Sequence, residues 1–122
     1  MKRMIAGLSA IGLVFATALA LAAGQYGPGV SDSEIKIGNT MPYSGPASAY
    51  GIIGKTETAY FRMVNEHGGI NGRKINFISR DDGYSPPKTV EQVRQLVEQD
   101  QVLFLFSTLG TPTNTANPRL PQ

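Results

Sequence analysis

The apolar positions change period along the chain, and each change marks an element. Glu34-Ile-Lys-Ile-Gly38 alternates polar and apolar residues, which predicts a first strand from about Ile35 to Asn39. Thr40 to Gly51 breaks every pattern, because Pro42, Ser44, Gly45 and Pro46 favour turns. From Ile52 to about His67 apolar side chains fall at Ile53, Tyr60 and Val64, flanked by Ile52, Ala59 and Met63. That spacing predicts a helix with a narrow stripe facing a sheet, closed by Gly68-Gly69. Ile70-Asn-Gly-Arg73 reads as a turn, and Lys74 to Arg80 as a second strand with Ile75 and Phe77 on one face. Ser85 ahead of Pro86-Pro87 is a helix start, a capping hydroxyl before residues whose φ is preset. The helix it opens, about Pro86 to Asp100, buries Val90, Val93, Leu96 and Val97.

The chain then enters Val102-Leu-Phe-Leu-Phe106, an unbroken apolar run. A run this short predicts a strand buried on both faces, where an unpaired carboxylate at Phe104 would cost several kcal/mol. The sum is β-α-β-α-β: an α/β fold whose three strands are parallel, joined by right-handed crossovers in the order 2-1-3. On that order the carboxyl ends of strands 1 and 3 are neighbours, and loops 40–51 and 107–114 form two walls of one crevice. The second wall, Ser107-Thr-Leu-Gly-Thr-Pro-Thr-Asn114, is rich in hydroxyls. Ser107, Thr108, Gly110 and Thr111 suit either of two roles there. They cap the helix that Pro112 opens, or they bind a carboxylate with help from the positive end of that helix. Ser44 and Tyr50 lie on the facing wall.

Composition changes the picture mainly at the amino end. Behind Lys2-Arg3, Met4 to Ala23 is uncharged and dominated by Ala, Leu, Ile, Val and Phe. Ala18-Leu-Ala20 and Ala20-Leu-Ala22 both fit a signal-peptidase site, so residues 1–23 are expected to be a cleavable secretory signal rather than a membrane anchor. Residues 24–33 then form a Gly/Pro/Ser linker without pattern. The whole chain of 122 residues carries a formal charge of +2, but without Lys2 and Arg3 it holds nine basic and nine acidic residues. The basic balance therefore gives no support to a nucleic-acid partner. There is no cysteine, which excludes disulfides, thiolate metal sites and a lipid-bearing cysteine. An exported, cysteine-free domain suits the periplasm of a Gram-negative cell.

Catalytic chemistry has little to work with. Asp81-Asp82 at the end of the second strand is the pair that invites a metal or phospho-receiver reading; an exported enzyme or phospho-receiver-like domain built on it is one alternative function, and a fragment without function is the other. Such a site also wants an aspartate at the end of the third strand, where the chain has Phe106-Ser107. A turn whose side chains satisfy backbone N–H groups accounts for the pair more simply. His67, the single histidine, reads as a solvated residue of a last helical turn. No phosphate loop, metal-ligand spacing or nucleophile–base pair is present, so the chain is expected to need no cofactor or metal and not to be an enzyme.

Four landmarks in order carry a resemblance. Glu34-Ile-Lys-Ile-Gly38, Tyr43-Ser-Gly-Pro-Ala-Ser-Ala-Tyr-Gly51, Val64-Asn-Glu-His-Gly-Gly-Ile-Asn-Gly-Arg73 and Asp81-Asp-Gly-Tyr-Ser-Pro-Pro-Lys88 closely resemble the periplasmic leucine/isoleucine/valine-binding family. Its members are the substrate-binding proteins of branched-chain amino acid ABC transporters. The resemblance implies a type I periplasmic binding fold, two α/β lobes that close on a small-molecule ligand and deliver it to a membrane permease. It also implies that Ser107, Thr108, Gly110 and Thr111 meet the α-carboxylate and ammonium of an amino acid. Tyr50 matches an aromatic position that packs on the ligand. On this reading residues 34–116 are part of a first lobe.

The tail departs from that family. After Thr113-Asn-Thr-Ala116 a helix should run on for several turns, but Asn117-Pro-Arg-Leu-Pro-Gln122 follows, and prolines forbid a helix interior. Residues 117–122 are therefore expected to be an atypical tail, the mark of a truncated or frame-shifted product, which sequencing of the downstream DNA would test.

Overall fold

The computed structural model describes residues 24–117. The expected signal peptide, and the tail beyond Asn117, lie outside the described residues. The chain runs β1 (Glu34–Met41), a 3-10 turn (Ser48–Tyr50), α1 (Gly51–Glu66), β2 (Lys74–Asp81), α2 (Pro86–Glu98), β3 (Phe104–Leu105) and α3 (Thr111–Ala116). The three strands form one sheet in the order β2-β1-β3, and both pairings are parallel. This is the α/β arrangement that the periodicity predicts. Among the described residues no helix is long and apolar enough to cross a membrane.

β1 is the central strand, and its two faces meet different helices. Asn39 Nδ2 donates to Glu57 on α1 at 3.0 Å, whereas a Cβ on Gly38 would lie 2.8 Å from Leu96 Cδ2 of α2. The steps from β1 to β2 and from β2 to β3 run in opposite directions across the sheet, so crossovers of one hand place their helices on opposite faces. The core is small: Ile37, Met41, Val93, Leu96 and Val102 are its buried apolar side chains. The strand also runs two residues further than its alternation predicts, ending at Met41 with Asn39 and Thr40 fully buried.

Three expectations need correction. First, the apolar run 102–106 is not a strand buried on both faces. β3 is limited to Phe104–Leu105 and pairs only with β1 among the described residues. Leu103, Phe104 and Phe106 are 45, 49 and 38% exposed, while Val102 alone is buried. A strand with one neighbour buries its side chains only where a helix covers it, and here α2 covers Val102.

Second, α1 is rotated from the expected stripe. Ile52, Ile53, Tyr60 and Met63 are exposed, Val64 of the stripe is half-buried, and the two buried residues of the helix are Gly51 and Gly54. A Cβ at Gly54 would fall on the Tyr43 hydroxyl and 3.1 Å from Met41 Cγ, so glycine is what permits this approach. Phe61, about two turns on from Gly54, lies 5.0 Å from Phe77 and 5.7 Å from Phe106 between ring centroids, tilted against the first and edge-on to the second.

Third, Ser85 sits at the amino cap of α2 with extended backbone, yet its side chain makes no capping bond. Pro87, at the second helical position, has no N–H to offer, which removes one of the two donors that a capping side chain serves. Thr89, Val93 and Leu96 are the buried residues of this helix, and Val90 and Val97 are only half-buried.

The stretch 24–33 is fastened rather than free. Arg73 donates to the Ser31 carbonyl at 2.7 Å and to the Tyr26 hydroxyl at 2.8 Å, with its guanidinium 5.0 Å from the Tyr26 ring centre. At the other end α3 stops at Ala116, and Asn117 turns extended with ψ 126°, the conformation a residue ahead of proline prefers.

Candidate functional site

Three loops rise from the carboxyl end of the sheet: 42–47 after β1, 82–85 after β2 and 106–110 after β3. Ser44 lies on the first and Ser107, Thr108 and Gly110 on the third, while Tyr50 ends the 3-10 turn and Thr111 opens α3. Ser44 is exposed, and its hydroxyl donates to Asp81 Oδ2 at 2.6 Å. Tyr50 is 58% exposed at the entry to α1. Ser107 follows β3 directly and takes the left-handed conformation with φ 53°. Thr108 accepts a bond from Asn114 Nδ2 through its carbonyl at 3.0 Å. Gly110 precedes α3 with φ 105°, and Thr111 is the exposed first residue of that helix. Since α3 has only six residues, its macrodipole is a small part of any anion affinity.

In the described residues the third loop is joined by a hydrogen bond to the end of β1, not to the first loop. Leu109 N–H reaches the Thr40 carbonyl at 3.5 Å. Among the described residues no hydrogen bond joins Ser44 or Tyr50 to Ser107, Thr108, Gly110 or Thr111. Both walls instead lean on the loop after β2. Asp81 Oδ1 accepts from Tyr43 N–H at 2.9 Å, Ser44 N–H at 3.1 Å and Gly83 N–H at 3.0 Å. Asp81 Oδ2 accepts from Ser44 Oγ at 2.6 Å and Lys88 Nζ at 3.2 Å. On the other side the Tyr84 ring lies against Gly110: a Cβ there would stand 2.6 Å from Tyr84 Cε2. Tyr84 was not legible as a site residue. Its signal, a bulky residue after Asp-Asp-Gly, becomes informative only with φ 60° in hand.

Asp82 is fully buried and accepts from Tyr84 N–H at 2.9 Å and Thr89 Oγ1 at 2.8 Å. The acidic pair is thus consumed in holding turns, as the simpler of its two readings predicts. Among the described residues no cluster of three or more His, Cys, Asp or Glu side chains is placed to hold a metal. His67 caps nothing beyond its own helix, its Nδ1 2.8 Å from the Met63 carbonyl.

Partial burial pushes the Asp81 carboxyl up, but bonds from the Ser44 hydroxyl, Gly83 N–H, Lys88 and Ser44 N–H outweigh it and hold the group well below the usual carboxylate range. A carboxyl whose folded pKa is depressed contributes stability above its unfolded value, near 3.8, and loses it as pH falls through the folded value. Asp81→Asn should therefore be less stable than the parent by about 1.5–3 kcal/mol at neutral pH, the range for hydrogen bonds to charged groups. Thermal melts at stepped pH should show that gap closing below the unfolded value; a constant gap would remove the linkage.

Ser107 gives a smaller expectation. A non-glycine residue in the left-handed region costs about 1–2 kcal/mol, partly offset in glycine by a more flexible unfolded chain. Ser107→Gly should raise stability by a few tenths to about 1 kcal/mol in a thermal melt. A loss of stability would mean that the Ser107 side chain holds the loop.

A separate open groove of about 460 Å³ lies on the α1 face, lined by Thr56, Glu57, Tyr60, Phe61 and Phe106. None of the expected ligand residues lines it, and its walls are mainly aromatic.

Known proteins share this arrangement. The chain is 36% identical over 75 residues to Leu/Ile/Val-binding protein homolog 1 of Brucella abortus, a match covering 61% of this chain and 20% of that protein. Among solved structures, the fatty acid ABC transporter substrate-binding protein from Thermomonospora curvata aligns with a TM-score of 0.66 at 34% identity, over 75% of this chain and 23% of that one. The branched-chain amino acid transporter substrate binding protein LivJ from Streptococcus pneumoniae, solved with isoleucine, aligns with a TM-score of 0.65 at 26% identity, over 69% of this chain and 24% of that one. The chain spans about a fifth to a quarter of the length of the curated relatives it matches. Each of these is named as a binding protein rather than an enzyme, and the fold they share is that of type I periplasmic binding proteins. Residues 34–120 match the family model of the periplasmic binding proteins, and the chain belongs to that family.

Proposed function

We propose that this chain is part of the first lobe of a periplasmic solute receptor for an ABC importer, taking an amino acid or similar small carboxylate at the strand-end crest. The observation that carries the reading is the crest itself, which rises from a lobe that aligns with a receptor solved with isoleucine. Thr108, Gly110 and Thr111 bring N–H groups and hydroxyls to one wall, where a carboxylate is accepted without a metal. Tyr50, exposed on the other wall, offers a ring to the ligand's side chain. In the whole receptor the ligand passes to a membrane permease and no reaction occurs on it. The signal sequence and the family together support export to the periplasm. The enzyme alternative loses its ground, because Asp81 and Asp82 are saturated with donors from their own loops.

One crest supplies one set of donors and leaves the far side of the ligand in water. Isoleucine is therefore expected to bind the chain no tighter than millimolar, roughly −4 kcal/mol. In a titration followed by amide NMR, shifts should concentrate at residues 107–111 and at Ser44 and Tyr50, and Thr111→Ala or Tyr50→Ala should weaken them. Failure of a panel of amino acids and aromatic carboxylates to move those amides would sink the proposal. Micromolar binding would defeat the view that a single crest is at work.

A further inference from the structure

The crest is built from two walls, yet the contacts that fix them run through a third loop. Asp81 stands at the end of β2 and gathers donors from its own turn and from two other places in the chain. Three are backbone N–H groups, of Tyr43, Ser44 and Gly83, and two are side chains, of Ser44 and Lys88. Both carboxylate oxygens are therefore occupied, one by a fan of amides and the other by a hydroxyl and an ammonium. Three residues later the same loop presents Tyr84. Its backbone is held in the left-handed region with φ 60°, and Asp82, fully buried, accepts its N–H at 2.9 Å. That conformation lays the ring against Gly110, where a Cβ would be 2.6 Å from one ring carbon and 3.1 Å from another. Gly110 also has Thr113 Oγ1 close by, and that buried hydroxyl bonds the carbonyls of Leu109 and Gly110 at 2.6 and 2.8 Å.

We propose that the Asp81–Ser85 turn is the positioning element of the crest: Asp81 holds the wall that carries Ser44, and Tyr84 holds the wall that carries Gly110 and Thr111. The role rests on the reading of the crest as a ligand site, but the holding of the walls is measurable without any ligand. Neither residue needs to touch the ligand. Their effect is to remove freedom from the loops that do, so that ordering is not charged against binding.

The test is amide hydrogen exchange by NMR on the full chain. Each bond from an N–H to the ionised carboxylate is of the stronger, charge-assisted kind, so Asp81→Asn should speed exchange at Tyr43, Ser44 and Gly83 about tenfold or more. Exchange at Leu109 and Asn114 should stay near the parent rate in that variant. Tyr84→Ala should do the reverse, and Tyr84→Phe, which keeps the ring, should restore the parent pattern at both walls. Ladder amides of β1 serve as the reference for global opening. Should Asp81→Asn fail to fold, Ser44→Ala takes its place, with faster exchange expected at Tyr43 and Ser44 only. Unchanged exchange at the wall amides, or equal acceleration at the β1 ladder, overturns the proposal. Isoleucine shifts weakened by Tyr84→Ala and recovered in Tyr84→Phe support it; shifts indifferent to both variants overturn the positioning role and leave the receptor reading standing. A parent chain blind to isoleucine counts against the receptor reading, while the exchange pattern still decides whether the turn holds both walls.

Discussion

Leu96→Ala is expected to abolish the cooperative thermal melt of the chain at neutral pH, whereas Phe104→Asp should leave it in place. Leu96 is fully buried on α2, and its two methyl carbons lie over Gly38 of the central strand, 2.8 and 3.2 Å from where a Cβ would stand. Its carbonyl also receives Val102 N–H at 3.1 Å, which fastens the entry to β3. Truncating such a leucine costs about 2–5 kcal/mol, because the site cannot collapse onto a missing side chain whose neighbours are strand and glycine. A domain with so few buried apolar residues stands near the lower bound of small-domain stability, about 5 kcal/mol or less. The loss is then most of what holds the fold. Phe104 is 49% exposed, so a carboxylate there stays solvated and the cost is roughly 1 kcal/mol of apolar contact. Circular dichroism melts of the two variants decide the matter. A Phe104→Asp chain without a transition, beside a Leu96→Ala chain that melts like the parent, would place the core at β3 instead.

That reversal of weight between Leu96 and Phe104 shows where the sequence is and is not legible. Element order follows from local signals, because each period change in the sequence falls near a real boundary, and parallel pairing follows from the helical crossovers between successive strands. The burial of Phe104 does not follow. An apolar run tells that a strand is fit for burial, but what covers it belongs to other segments, and in the described residues β3 has one strand neighbour. The face of α1 fails for a different reason. A stripe read from bulky residues points to Ile53 and Tyr60, yet Tyr60 is 56% exposed and the contact is made by Gly51 and Gly54. Small residues mark close approach, and a hydrophobicity pattern counts them as nothing.

At the crest the residue types were legible and their wiring was not. Hydroxyls after an apolar strand identify the wall at 107–111, and Asp81-Asp82 is read correctly as a turn with its own donors. The donors from Tyr43 and Ser44 come from 38 and 37 residues away. No local rule brings them to Asp81; the parallel register does, by setting Met41 beside Asp81 at the ends of β1 and β2. The left-handed backbone at Tyr84 and Ser107 is equally invisible, since neither residue type favours it. Strain of this kind persists where the surroundings over-determine the chain, and both residues sit in the loops that shape the crest.

Gly54→Val should be nearly as damaging as the loss of Leu96, and Gly54→Ala should separate the cause from helix propensity. At an ordinary exposed helix position Gly→Ala stabilises by about 1 kcal/mol. Here the first added carbon falls on the Tyr43 hydroxyl and 3.1 Å from Met41 Cγ, so the alanine variant should gain nothing or lose stability. Two further methyl groups in the valine variant force α1 off the sheet or Tyr43 out of its place, an overpacking cost of about 1–3 kcal/mol. Tyr43 cannot move alone. Its hydroxyl bonds Ser79 Oγ, which donates to Asn39 Oδ1 at 2.5 Å, and Asn39 in turn donates to Glu57 on α1 at 3.0 Å. Breaking this chain leaves fully buried Asn39 short of a partner, a further penalty of about 1–3 kcal/mol. Because Ser44 follows Tyr43 directly, the displacement should also reach the crest, and isoleucine shifts at Ser44 should fade in Gly54→Val at temperatures where the fold survives. An alanine variant that melts about as far above the parent as an exposed Gly→Ala change allows would show that α1 does not pack at Gly54, and with it that the rotated face of this helix is wrong.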